Sequence, residues 1–295
     1  DGLKAGLSAA LSLGGQVPWQ AQGVDILLTL PDWGPSTVPA LREATEAGVI
    51  VVGNILPAGG ESGVDYATEV FDDLKQNADL FVDYFAEKLP DGGVVVGIGG
   101  AAGNVYDPLM LGFMQEGLAE RAPNIEFPEV APGDYDPTVS LQAFTALLGK
   151  YDQIDGVWSL LADPIPAYWD AAEAAGRPLP VTVTFDQNQL IGEFLERKPD
   201  HPELEVGFVT SRTWITAETL KVALDTYYGN QVDPERLSIQ NTMIDCAAEC
   251  EDLHRPDMPG AWIPTRYPSI VNTLGSLKTI QFEMRSPSAS MTSSE

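Results

Sequence analysis

Gly97-Ile98-Gly99-Gly100-Ala101-Ala102-Gly103-Asn104 follows Gly93-Val94-Val95-Val96, a β-branched run suited to a buried parallel strand. Leu109, Leu111, Phe113, Met114 and Leu118 come next, apolar at mostly helical spacing. Asp107 is a good N-cap for that helix, and Pro108 suits its first position, where a missing N–H costs nothing. The glycines therefore form a strand-to-helix loop at a strand's carboxyl end, where open α/β sheets bind ligands. Two chemistries compete for it. Gly97-x-Gly99-x-x-Ala102 formally matches the dinucleotide fingerprint. In that motif, however, the helix begins within the glycines and its N-terminus meets the pyrophosphate. Here the helix starts later and carries a carboxylate at its N-terminus, which repels phosphate. A polar ligand held between two lobes is the preferred reading.

No enzyme constellation accompanies the loop. The two histidines, His201 and His254, stand in Pro-rich, irregular contexts, and the sequence has no Gly-x-Ser-x-Gly elbow, P-loop or His-Glu-x-x-His. Asp72 and Asp73, adjacent at a helix start, point in different directions and give acid–base catalysis no support. Cys246 and Cys250 read first as a small disulfide loop in an oxidising compartment, ahead of free thiols and of a metal site. With His254 they are spaced four apart, and on a straight helix the outer two lie about 12 Å apart, too far for one ion. No cofactor is expected.

The elements that must position these residues alternate along the chain. Gly23–Leu30 and Val49–Asn54 read as strands around a helix carrying Val38, Leu41 and Ala44. A Gly/Pro-rich loop leads to a helix with Leu74, Ala78, Phe81, Val82, Phe85 and Leu89. Then come strand 93–98, helix 107–121, strand 125–130, helix 137–149, strand 156–161 and helix 164–175. Strand 181–185, helix 188–196, strand 205–210, helix 214–228 and an extended run at 237–244 complete the series. Strands alternating with helices of this length mean α/β architecture, parallel sheets with helices on both faces. Asp-Pro opens three successive helices, at 107, 136 and 163, as a capping device. Residues 251–270 are turn-rich, and 285–295 form a Ser-rich tail expected to be disordered.

Asp and Glu outnumber Lys and Arg 43 to 16 over 295 residues, a formal charge of −27. That disfavours nucleic acid and anionic membrane surfaces as partners. No run of 18 apolar residues offers a membrane span. The opening Asp1-Gly2-Leu3 reads as a mature or trimmed start.

Several phrases in order resemble the type I periplasmic solute-binding proteins, in particular the sugar-binding branch serving ABC importers. Gln22–Leu28, a Pro-Asp turn and Glu46–Val52 resemble paired βα units of that family. Asp73 before a helix ending Asp83–Leu89, Gly99–Gly103 with Gly112-Phe113, and Tyr151–Val157 follow its pattern. So do Ala171–Arg177 and Phe185-Asp186. The resemblance spans roughly residues 22–245. It implies two Rossmann-like lobes joined by a three-stranded hinge, with crossovers near 90–93, 210–213 and 238–242. The lobes would be 1–91 with 213–240, and 92–212 with 241–284. The sequence departs from the family at its start, where the N-terminal βα unit is incomplete. It departs too at Leu109, where a sugar-clamping Arg is usual, and at Ala162, where the Asn of an Asn-Asp pair is replaced and Asp163 is left.

What the resemblance implies is a periplasmic or extracellular monomer, secreted or lipid-anchored as a precursor. It would capture a small carbohydrate-like ligand and pass it to an ABC permease. The alternatives are a dinucleotide-dependent enzyme using the Gly97 loop and a ligand-sensing domain for a signalling partner. A sugar site needs carboxylates and amides for hydroxyls and an aromatic face for the ring. Trp33, after a strand, offers the face. Asp73, Asn104, Asp107, Asp163, Asp186 and Arg212 are the polar candidates, with Asp73, Asp107 and Asp163 serving equally well as N-caps. Asp186 ends a strand, where an acid is harder to explain as a cap. Trp158 and Trp169 read as core.

Overall fold

The computed structural model describes residues 24–210, 215–232 and 237–257, all within one of the chain's two contact units. Arg212, residues 1–23 and the 285–295 tail lie outside the described residues. The small sheet has the order β1-β2-β3-β10, parallel throughout: β1 Ile26–Thr29, β2 Ile50–Ile55, β3 Thr68–Asp72 and β10 Ser238–Ile239. The large sheet runs β11-β9-β8-β7-β4-β5, with β6 also paired to β4. Its strands are β4 Gly93–Gly99, β5 Ile125–Glu126, β6 Val130–Pro132, β7 Gly156–Ser159, β8 Val181–Phe185, β9 Val206–Val209 and β11 Met243–Asp245. Only β11 is antiparallel, pairing Ile244 with Phe208.

Strand alternation splits the large sheet's side chains between two cores. Val95, Trp158, Val183 and Phe185 face α2 (Leu74–Lys88) and α3 (Tyr106–Arg121). Val96, Ile98, Val157 and Phe208 face α4 (Pro137–Lys150), α5 (Ile165–Ala174), α6 (Asn188–Arg197) and α8 (Cys246–Leu253). Trp158 and Trp169 are both fully buried, as their surroundings in the sequence suggest. On the small sheet, Val52, Val70 and Ile239 face α7 (Ile215–Tyr227), while Leu27 and Val51 face α1 (Val38–Glu46).

The chain passes between the sheets after β3, after β9 and between β10 and β11. The first passage lies at 72–74 rather than near 90. The reason is α2, whose stripe of Leu74, Ala78, Phe81 and Phe85 packs on the large sheet beside α3 and not on the small one. Lys88, at its end, pairs with Asp245 at 2.8 Å and Glu205 at 3.2 Å, tying α2 to β9 and β11. Other differences are local. The strand expected at 125–130 is two short strands separated around Pro128, which cannot donate to a ladder. The run at 237–244 divides between the two sheets. Strand β3 and helix α8 were not apparent in the sequence.

Cys246 and Cys250 are disulfide-bonded in the first turns of α8, buried in the large sheet's core. Among the described residues no cluster of His, Cys, Asp or Glu could hold a metal, and no helix is long and apolar enough to cross a membrane.

Candidate functional site

Loops leaving the carboxyl ends of both sheets meet. The turn after β1, Pro31–Gly34, lies against the glycine loop after β4: the Val105 amide donates to the Asp32 carbonyl at 3.0 Å. Trp33, half-buried, has its ring beside Gly103, 3.5 Å from where a Cβ would sit. This junction brings together Trp33, Asn104 and Asp107 of the expected site.

Within the loop, the polar candidates serve each other. Asn104 Oδ1 accepts from the Asp107 amide at 2.9 Å, and Asn104 Nδ2 donates to Asp107 Oδ2 at 2.7 Å. The Asp107 carboxylate also accepts from the Gly100 amide, at 3.1 and 3.0 Å. Asp107 is therefore not the N-cap its position suggested. The helix opens one residue earlier, at Tyr106, with Val105 flanking it. Burial holds the Asp107 carboxyl above the usual range, against its bonds from Asn104 and Gly100, and the charge of Asp32 adds to the rise. The glycines make this fold-back possible. A Cβ on Gly99 would lie 2.3 Å from the Asp107 carboxylate, and one on Gly100 would lie 2.5 Å from the Tyr135 ring. An anion at this loop would meet a half-buried carboxylate holding the Gly100 N–H, so the dinucleotide reading loses its physical basis.

Asp73 acts as the N-cap of α2. Its Oδ1 accepts from the Gln76 amide at 3.0 Å and its Oδ2 from Gln240 Nε2 at 3.1 Å. Asp163 does not cap α5, whose flanking residue is Pro164; it accepts from Gln187 Nε2 and is exposed. Asp186 and Gln187, directly after β8, are 0% and 3% exposed. The Asp186 amide donates to the Val209 carbonyl at 3.0 Å. Asp163, Asp186 and Gln187 thus gather at the carboxyl ends of β7 and β8, on the same rim of the large sheet as the glycine loop.

Three features escaped the sequence. Asp32, 7% exposed, accepts from the Tyr135 hydroxyl through both oxygens, at 3.0 and 2.9 Å. Ile55 adopts φ +70° where the Leu56 amide donates back to the Asn54 carbonyl at 2.8 Å, a γ-turn. That conformation costs a β-branched residue roughly 1–3 kcal/mol, and it delivers Leu56 into the large sheet's core. Asn54 itself accepts from Thr219 at 2.8 Å and donates to Thr216 at 3.0 Å, fixing the end of β2 to α7. A cavity of about 460 Å³ opens elsewhere, between β6 and α4, walled mainly by Ala131, Pro132, Val139, Ala143 and Leu147.

Two α/β sheets with facing carboxyl ends and three passages between them define a two-lobed binding fold. Residues 19–198 match the family model described as periplasmic binding protein domain, more than half of the chain, and the chain belongs to that family. The family is a solute-binding, non-enzymatic, extracytoplasmic type.

Solved structures share the fold. The periplasmic binding protein of an arabinose ABC transporter from Shewanella sp. ANA-3, bound to α- and β-L-arabinofuranose, is 17% identical. Its TM-score is 0.66, with 79% of this chain and 78% of that one covered. An ABC transporter solute-binding protein from Mycobacterium smegmatis with bound glycerol is 21% identical, with TM-score 0.67 and coverage of 82% and 81%. The fructose-binding periplasmic domain of a hybrid two-component system is 18% identical, with TM-score 0.65 and coverage of 79% and 75%. No curated protein matches the chain significantly.

Proposed function

We propose that this protein captures a small, hydroxyl-rich, sugar-like ligand between its two lobes and delivers it to an ABC importer. The observation that carries the reading is the meeting of loops from both sheets' carboxyl ends, with aromatic Trp33 and the carboxylates of Asp163 and Asp186 on that rim. One lobe comprises the small sheet with α1 and α7. The other comprises the large sheet with α2–α6 and α8. Ligand touching both lobes favours the closed arrangement by its differential contacts, and the three passages act as the hinge. Within the site, Trp33 offers a stacking face, while Asp163, Asp186 and Gln187 accept and donate to hydroxyls. Asn104 and Asp107 shape the loop, and Asp73 serves the hinge side as a cap. Arg212, outside the described residues, remains the candidate cation of the second passage. Work outside the cytoplasm suits the Cys246–Cys250 bond, and a lipid anchor on a precursor fits delivery to a permease.

The fructose-binding domain of a two-component system among the structural neighbours favours a second reading, a sensor for a signalling partner. Pull-down from membranes separates the two: a permease recovered with ligand-loaded protein supports delivery, and a sensor kinase supports signalling.

A melting-temperature screen tests capture itself. L-Arabinose, D-fucose, D-fructose, D-glucose, glycerol, NAD and NADP are each added to the purified protein. A sugar at about 100 times its Kd should stabilise by about 2.7 kcal/mol, a shift of several degrees. Stabilisation by NAD or NADP alone overturns the reading.

A further inference from the structure

The Tyr135 hydroxyl and the Asp32 carboxylate join the two lobes, and their places in the fold give that bond unusual leverage. Asp32 follows β1, the edge of the small sheet opposite β10. Tyr135 follows β6, at the edge of the large sheet opposite β9 and β11. The chain passes between lobes after β3, after β9 and between β10 and β11, and both partners stand on the opposite side of their sheets from β3, β10, β9 and β11. From β9 to β6 the path crosses β8, β7 and β4, which at about 4.8 Å per strand is about 19 Å. A contact at that distance resists opening far more effectively than one beside the hinge.

The turn that presents Tyr135 is built for the purpose. Asp134 and Tyr135 have φ of 53° and 54°, two consecutive non-glycine residues in the left-handed region. The turn is clamped to the glycine loop: the Gly133 amide donates to the Gly99 and Gly100 carbonyls, and the Asp134 amide to the Gly100 carbonyl. Asp136, immediately after, caps α4. The ring lies over Gly100, where a Cβ would collide with it, and 43% of the residue is exposed. The hydroxyl bonds to a buried carboxylate, a charge-assisted contact stronger than a neutral one.

We propose that Asp32 and Tyr135 form a clasp that holds the lobes together opposite the hinge and sets how fast ligand enters and leaves. They are positioning residues, acting through lobe closure. The kinetic part rests on the binding function proposed above; the closure part does not. When the clasp forms with and without ligand, its loss speeds association and dissociation together and changes Kd less than either rate.

The test is hydrogen exchange and small-angle scattering on ligand-free wild type, Tyr135→Phe and Tyr151→Phe. Tyr135→Phe removes one hydroxyl and keeps the ring. Tyr151→Phe removes the hydroxyl bonded to Glu129, away from the junction, as a control. In Tyr135→Phe the Val105 amide should exchange about tenfold faster or more, and the radius of gyration should rise. Amides of β7 and β8 and the melting temperature should be unchanged, and Tyr151→Phe should match wild type at Val105. Unchanged exchange at Val105 overturns the clasp, and so does faster exchange throughout the chain with a lowered melting temperature. If no sugar binds the wild type, the function fails while these ligand-free readings still judge the clasp. If one binds, stopped-flow mixing with that sugar should show both rates raised; rates equal to wild type contradict the kinetic role.

Discussion

Asp186→Ala is expected to weaken binding of the sugar by roughly ten- to a hundredfold. Asp186 directly follows β8 with no exposed surface, its backbone tied to Val209, so the carboxylate is held at the rim. A hydroxyl bonded to such a group loses a charge-assisted contact, worth roughly 1.5–3 kcal/mol, when the carboxylate is removed. Asp186→Asn keeps the size and one acceptor and should fall between alanine and wild type. Calorimetric titration beside a melting curve separates binding from folding. Affinity within twofold of wild type for Asp186→Ala would remove this residue from the site.

Asn241→Ala is expected to cost stability more than any surface change, about 2–4 kcal/mol. Asn241 is 4% exposed and bonds to each of the three passages between lobes. Its Nδ2 donates to Asp72 Oδ1 at 3.3 Å and Asn77 Oδ1 at 2.9 Å, at the first passage. Its Oδ1 accepts from Thr210 at 3.1 Å, at the second, and Asn241 itself lies in the third. Alanine removes a partner from three buried polar groups at once. The backbone bonds to Gln76, at 2.9 and 2.7 Å, survive and keep the segment in place. Urea unfolding reads the difference as a lower midpoint at unchanged slope. A midpoint equal to wild type would mean that the passages do not depend on this side chain.

The central parallel strands were legible because they are largely buried on both faces and so read as Val/Ile runs, as in Val49–Val52 and Gly93–Val96. Strand β3 was not, because Thr-Glu-Val-Phe-Asp mixes polar and apolar residues. Glu69 is there to accept from the Ala58 amide at 3.1 Å, a partner eleven residues away that leaves no mark on the strand itself. Helix α8 was hidden by its shortness and by the Pro-rich sequence after it. The placing of α2 on the large sheet was also out of reach, since an apolar stripe does not name the sheet it will meet.

The site divides in the same way. Trp33 and Asp186 were legible as strand-end residues, and the structure places them after β1 and β8. Asn104 and Asp107 were noticed for their place on the glycine loop, but their bonds to each other and to the Gly100 amide were not foreseen. Their three-residue spacing is the signature of a side chain bonding a nearby backbone amide. Asp32 and Tyr135 lie 103 residues apart, and only the topology brings them together.

The most direct test of the interlobe site is a crystal structure grown with a sugar that raises the melting temperature. One sugar-sized density should touch residues following β1 on one side and residues following β7 or β8 on the other. Density confined to the cavity between β6 and α4, or touching a single lobe, would contradict capture between the lobes.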